Sequence, residues 1–297
     1  MFDTLTRMGA SAAGAYEIER SLRFNDPDST YLTKDFGTAT NRKIWTWSCW
    51  FKRERVSDTE CWFSALAEGS ASWYSRFADN GDDNFEFTEY SGSSYVINLR
   101  PNMKLRDFSA WYHVVVAYDS TQGTAANRVK MYVNNVQITS FSTETYPSQN
   151  QESGINKNHA HTIGKTTEGS SYYYSGYMTD MYFVDGQQLT PSSFGETNAD
   201  TGQWIPKKYG GTYGNNGFFL NFSDNSNTTA GTLGADTSGN GNNFTPNNFS
   251  VAAGKDDDSS IDTPTNNFPT LNSGDRSLVG TISNGALRVS YNYKPAS

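Results

Sequence analysis

Trp111-Tyr112-His113-Val114-Val115-Val116-Ala117-Tyr118-Asp119 is followed, after a Gly/Ala/Asn loop, by Arg128-Val129-Lys130-Met131-Tyr132-Val133, then Asn134-Asn135 and Val136-Gln137-Ile138. The first run is dominated by β-branched and aromatic side chains, which suit a pleated, half-buried strand. The second resumes the pattern, and two asparagines tolerant of positive φ predict a tight hairpin between Val133 and Val136. Upstream, Ile44-Trp45-Thr46-Trp47-Ser48-Cys49-Trp50-Phe51 has large residues on both faces, as a strand inside a two-layer structure does; Trp45, Trp47, Cys49 and Phe51 share one face. Further strands read at 61–66, 73–78, 84–88, 95–99 and 177–184, separated by turn-forming runs such as Asp79-Asn80-Gly81-Asp82. Short strands with frequent turns predict an all-β sandwich.

Composition narrows the function classes. The 297 residues allow one large β domain with extensions, and 26 glycines beside 14% aromatic residues fit a strand-and-turn texture. The formal charge of −8 comes without a basic stripe to displace counterions from phosphates, so no nucleic-acid partner is expected. No stretch approaches the ~20 apolar residues of a membrane helix, and residues 1–15 lack a sustained apolar core, so neither membrane insertion nor signal-peptide export is expected. Cys49 and Cys61 are read as free buried thiols, since two cysteines make no disulfide scaffold in a chain this long.

Along the chain, residues 1–20 are an Ala-rich arm, residues 21–250 the sandwich, and residues 251–297 an extended C-terminal segment ending in a β-hairpin around Ser283-Asn284-Gly285. Three segments carry a resemblance. They are Ser21-Leu22-Arg23-Phe24-Asn25 through Tyr31-Leu32, Trp111–Val115 with Met131-Tyr132-Val133-Asn134-Asn135, and Ile163-Gly164 followed by Gly176-Tyr177-Met178-Thr179-Asp180. In this order they resemble the laminin G-like jelly-roll superfamily in its concanavalin A-like form, with Asn135 where that family usually has Gly. The resemblance implies a two-sheet jelly-roll sandwich. A fourth family segment, 218–222 followed by Asp236-Thr237-Ser238-Gly239-Asn240-Gly241, belongs at the start of such domains yet stands late here. Either the strand completes the same sandwich by circular permutation or it begins a second one. Only about 50 residues follow Phe244, which favours permutation.

The whole arrangement, with its leader and its Ile261–Phe268 tail, is similar to proteins of tailed, aquatic bacteriophages. That resemblance implies a structural or adhesive virion component, such as a tail fibre, appendage or capsid decoration, assembled in the host cytoplasm in several copies. Its partners would be other phage structural proteins and host-surface glycans. Phe2, Leu5, Met8, Tyr16 and Ile18 would be the apolar anchors of an attachment arm.

The alternative is a glycoside hydrolase on the same fold. Retaining hydrolysis needs paired carboxylates, but Glu86 and Glu89 are three apart and point to opposite faces of a strand, so no enzyme is expected. His159 and His161 could face the same way, but with no third ligand nearby they read as solvated polar residues, and His113 reads as a structural histidine. The superfamily resemblance makes calcium the candidate cofactor, at Asp26, Asp28, Asp180 and Asp236; the plainer reading is that these residues form turns. Tyr172, Tyr173 and Tyr174 with Tyr177, beside Trp73 and Tyr74, are the candidate glycan platform, because aromatic rings join an apolar face to a polar edge; the plainer reading is packing or a subunit interface.

Overall fold

The computed structural model describes residues 16–55, 58–66, 73–167, 172–253, 257–271, 280–283 and 288–291, without the side chains of Trp73, 280–283, 288 and 291. Phe2, Leu5, Met8, the Asn284-Gly285 turn and the Trp73 side chain thus lie outside the described residues. The strands in chain order are β1 (Ser21–Phe24), β2 (Tyr31–Asp35), β3 (Ile44–Arg53), β4 (Thr59–Leu66), β5 (Trp73–Asn80), β6 (Glu86–Ser91), β7 (Tyr95–Pro101), β8 (Tyr112–Asp119), β9 (Val129–Val133) and β10 (Val136–Gln137). They continue as β11 (Phe141–Thr145), β12 (Ala160–Ile163), β13 (Gly176–Asp185), β14 (Gly195–Thr197), β15 (Trp204–Pro206), β16 (Phe218–Leu220), β17 (Thr245–Asn247), β18 (Ser259–Ser260), β19 (Gly280–Ser283) and β20 (Arg288–Tyr291).

Two antiparallel sheets make the sandwich. Sheet one runs β10-β9-β8-β3-β13-β1-β18 with β16 also on β13, and sheet two runs β11-β7-β6-β5-β4-β12-β2-β17. The turn joining β9 to β10 has Asn134 and Asn135 at φ 46° and 68°, the conformation their side chains tolerate. Between the sheets, Trp45, Trp47, Cys49 and Phe51 of β3 meet Phe63, Phe77 and Phe87 of sheet two, all fully buried. Cys49 and Cys61 are free and buried.

The late strand joins the same sandwich. β1 pairs with the first half of β13 (Leu22 opposite Met178), and β16 pairs with the second half (Leu220 opposite Met181), so strands from both ends of the chain share one edge of β13. Between them β13 bulges at Asp180, whose φ is +43°, a left-handed backbone that aspartate adopts more readily than most residues. Phe218, Leu220 and Phe222 enter the main core, while Phe219 points outward and stacks on Tyr182 at 4.2 Å.

Sheet one is covered on its outer face as well. Val115, Ala117, Tyr182, Val184 and Phe219 lie under Phe194 and Tyr209. Further along, Trp50, Trp111 and Tyr177 pack with Ile18, and Tyr16 sits against them. Tyr16 and Ile18 therefore correct part of the attachment-arm expectation: Ile18 is only 4% exposed and its backbone N–H donates to Thr265 Oγ1 at 3.0 Å, so both are spent within their own domain. The C-terminal segment takes part in this cover. β18 pairs with β1, Asp258 bridges Arg23 at 2.7 Å, and Asp262 accepts hydrogen bonds from Lys52 Nζ at 2.9 Å and Trp111 Nε1 at 3.0 Å.

Candidate functional site

With sheet one covered on both faces, the outer face of sheet two is where side chains other than core hydrophobes gather. Phe77, Phe87, Ile97 and Leu99 turn inward, so strand alternation turns Tyr74, Arg76, Glu86, Thr88, Tyr90, Asn98 and Arg100 outward. Register then aligns them in rows: Tyr74 opposes Tyr90, Tyr90 opposes Tyr95, and Thr88 lies between Arg76 and Asn98.

The tyrosine row is continuous. Tyr74 and Tyr90 stack with centroids 5.7 Å apart, and Tyr90 meets Tyr95 at 5.1 Å. The Arg76 guanidinium lies 4.6 Å from the Tyr74 ring centroid and 5.6 Å from that of Tyr172, which links the row to the segment before β13. Beyond it, Lys165 Nζ sits 3.9 Å from the centroid of Tyr31, and Tyr31 meets Tyr173 at 6.3 Å. The floor of this face, Arg76, Glu86, Thr88 and Asn98, is buried, whereas Tyr95 on the rim is 41% exposed. Glu86 is held by Arg100 Nε at 3.1 Å and by Asn80 Nδ2, and burial pushes its carboxyl up to about 7 against the pull of Arg100 and Arg76. Thr88 Oγ1 is buried on the floor without a hydrogen-bond partner.

A sequence model described as the concanavalin A-like lectin/glucanases superfamily matches residues 26–195, more than half of the chain. The chain belongs to this superfamily. The match stops before β16, β17 and β18, which nevertheless complete the two sheets of this superfamily member. Among solved structures it is similar to a native heptameric SAP-like pentraxin from Limulus polyphemus, at 17% identity and a TM-score of 0.43 over 59% of this chain and 80% of that one. A putative carbohydrate binding protein from Bacteroides ovatus is similar at 17% identity and a TM-score of 0.44, over 78% of this chain and 59% of that one. Domains LG4-5 of the mouse laminin alpha1 chain are similar at 12% identity and a TM-score of 0.37, over 64% and 48%. No curated protein matches the chain.

Against this geometry the candidate residues of the superfamily member separate. Tyr172 and Tyr173 reach the outer face of sheet two. Tyr174 does not: its ring is fully buried on Phe24 and Trp62, its hydroxyl donates to Lys52 O at 2.6 Å, and it offers no surface to a glycan. Gly176 makes this fit possible, because a Cβ there would come within 2.4 Å of the Tyr174 hydroxyl. Tyr90 and Tyr95 were not anticipated, although their positions flanking the turn Ser91-Gly92-Ser93-Ser94 imply that a hairpin brings them face to face.

The four aspartates do not fit a calcium ion. Asp26 and Asp28 share one short turn, where Asp26 Oδ2 is taken by Arg55 at 2.9 Å and Asp28 Oδ2 by Asn25 Nδ2 at 2.5 Å. Asp236 accepts four hydrogen bonds, from the backbone N–H groups of Phe219, Ser238 and Asn242 and from Ser238 Oγ, and so serves as the brace of its loop. Asp180 is buried, with Tyr16 and Tyr182 hydroxyls donating to its two oxygens at 3.2 and 3.4 Å. Among the described residues no group of three His, Cys, Asp or Glu side chains is arranged to hold a metal.

His161 is a core residue rather than a solvated one: its Nε2 accepts from Asn156 N, its Nδ1 meets His159 O, and its ring stacks on Phe36 at 3.7 Å. His113 has the structural role read for it, bonded to Ser48 Oγ at 2.8 Å and to Trp204 Nε1 at 3.0 Å. Burial holds both imidazoles down to about 3, hence neutral. Glu89 points into the core, where Ser153 Oγ and Gly154 N donate to it at 3.1 and 3.0 Å, leaving Glu86 without a carboxylate partner on its own face among the described strands.

Burial also raises the Asp180 carboxyl to about 7, with the Tyr16 and Tyr182 hydroxyls opposing the rise. A carboxyl whose folded value exceeds its unfolded one favours the fold when protonated, and that contribution is lost as pH rises toward the folded value. Asp180→Asn should therefore gain on the parent chain by on the order of 1.4 kcal/mol per pH unit from about pH 4 to 7, then hold a constant advantage. Paired denaturation curves from pH 4.5 to 8.5 check this, and parallel profiles would contradict it.

Proposed function

We propose that this chain is a non-catalytic, glycan-binding module displayed on a bacteriophage particle as an adhesive or decorating component, assembled onto it in the host cytoplasm. The observation that carries the glycan half is the Tyr74–Tyr90–Tyr95 row beside Arg76 and Tyr172, set over a polar floor. Such rings offer apolar contact to sugar C–H groups and hydroxyls to their edges. Membership of a lectin-bearing superfamily supports the same reading, and the leader and tail, similar to tailed-phage proteins, support the particle half.

Tyr90 touches both of its neighbours in the row, so Tyr90→Ala should weaken binding of a glycan selected from a broad array by on the order of tenfold, while the chain still unfolds in one cooperative transition. Titration calorimetry on parent and variant reads this out. A panel in which no glycan binds saturably removes the glycan half, and immunogold label absent from purified particles removes the particle half. Assays for released sugar should find no product; product formation abolished by Glu86→Gln would instead make the chain a hydrolase.

A further inference from the structure

We infer that the C-terminal hairpin is an assembly element, and that β20 of one copy adds to the open edge of β11 in a second copy. β11 ends sheet two, pairing with β7 on one side and with no described strand on the other. It is the longest such edge among the described body strands: β10 and β18 have two residues each, and β17 has three and carries Pro246, which cannot donate to a ladder. A bulge between Phe141 and Thr143 bends its start, and Thr143, Glu144 and Thr145 then pair regularly, with Glu144 and Thr145 exposed. Long open edges are usually shielded by prolines, lysines or covering segments, and β11 contains neither Pro nor Lys.

The hairpin has the complementary need. β19 and β20 pair with each other and with no other described strand, and a lone two-stranded hairpin is marginal in water. Each strand has four residues, enough to cover the regular part of β11. Exposed large apolar residues collect in this tail, where Ile261, Phe268, Leu271 and Val289 account for four of the seven described. Charge selects the occupant. From Arg276 onward the chain carries Arg276, Arg288 and Lys294 and no acidic side chain, within a chain of net charge −8 whose β11 holds Glu144 and no cation. A second copy supplies the acidic partner edge, and because the two surfaces differ, the contact is head-to-tail and propagates to a ring or a filament.

Full-length chains carrying either Glu144→Cys or Arg288→Cys are mixed and mildly oxidised; the native thiols are buried and do not compete. Mixed disulfides form between the two variants, and sedimentation at low ionic strength shows concentration-dependent association. Glu144→Arg weakens association by on the order of tenfold, and adding Arg288→Glu to it restores most of the loss. The inference is overturned if the chain stays monomeric throughout, if cross-links join only like variants, or if a chain carrying both cysteines closes within itself and shows the hairpin capping its own edge.

Discussion

Arg53→Met is expected to lower the unfolding free energy by about 3–5 kcal/mol and the melting temperature by on the order of 10 °C. Arg53 continues the inward-facing series Trp45, Trp47, Cys49 and Phe51, so its guanidinium lies fully buried at one end of the core. There Nη2 meets Asp79 Oδ2 at 2.8 Å and Glu60 Oε2 at 3.5 Å, and Nη1 meets Asp83 Oδ1 at 3.5 Å and Leu105 O at 3.1 Å. Methionine fills similar volume but leaves these carboxylates buried beside less positive charge. Burial already raises Glu60 to about 7 and raises Asp79, with Arg53 as the largest opposing influence on each. Removing it pushes both higher, and a raised carboxyl destabilises the fold as pH rises through its folded value. The deficit should therefore be larger at pH 8 than at pH 5. Urea denaturation at both values decides; a loss below about 1 kcal/mol, within the range of an ordinary exposed ion pair, would show that the network is not holding the sheets.

A chain ended at residue 200 should be insoluble or lack a cooperative transition. The cut removes β16 from the edge of β13, Leu233 and Phe244 from the core, Tyr209 from the cover of sheet one, and β18 with Asp258 and Asp262 from Arg23 and Lys52. A hydrophobic strand edge would be left open, and two buried cations would lose these carboxylates. Phe218→Ala tests the same dependence in the intact chain: its ring contacts Phe183 at 5.8 Å, Phe244 at 4.9 Å and Phe36 at 6.2 Å, so truncation should cost about 3–5 kcal/mol. A soluble fragment of residues 20–200 that melts cooperatively would show that the late strand is an accessory to the sandwich rather than part of it.

The β3 and β8 strands, the Asn134-Asn135 turn, the free thiols and the late strand's membership of the same sandwich were all legible in the sequence, because each follows from local alternation, turn chemistry or chain length. Local alternation says which residues share a face; it does not say what covers that face. Tyr172, Tyr173 and Tyr174 look equivalent as letters, yet a buried site formed by Phe24 and Trp62, more than 100 residues away in sequence, claims Tyr174 alone. Lys52 and Arg53 look like the polar end of a strand, and they become buried ions because Asp262 and Asp79 arrive from other parts of the chain. The sequence by itself determined the strands, their turns and the inward series of aromatic residues, since these depend on neighbours within a few positions. Only the tertiary structure decided that Tyr16 and Ile18 seal sheet one and that Tyr74, Tyr90 and Tyr95 align across three strands. Those outcomes depend on pairing register and on contacts between distant segments, which no period of two can encode.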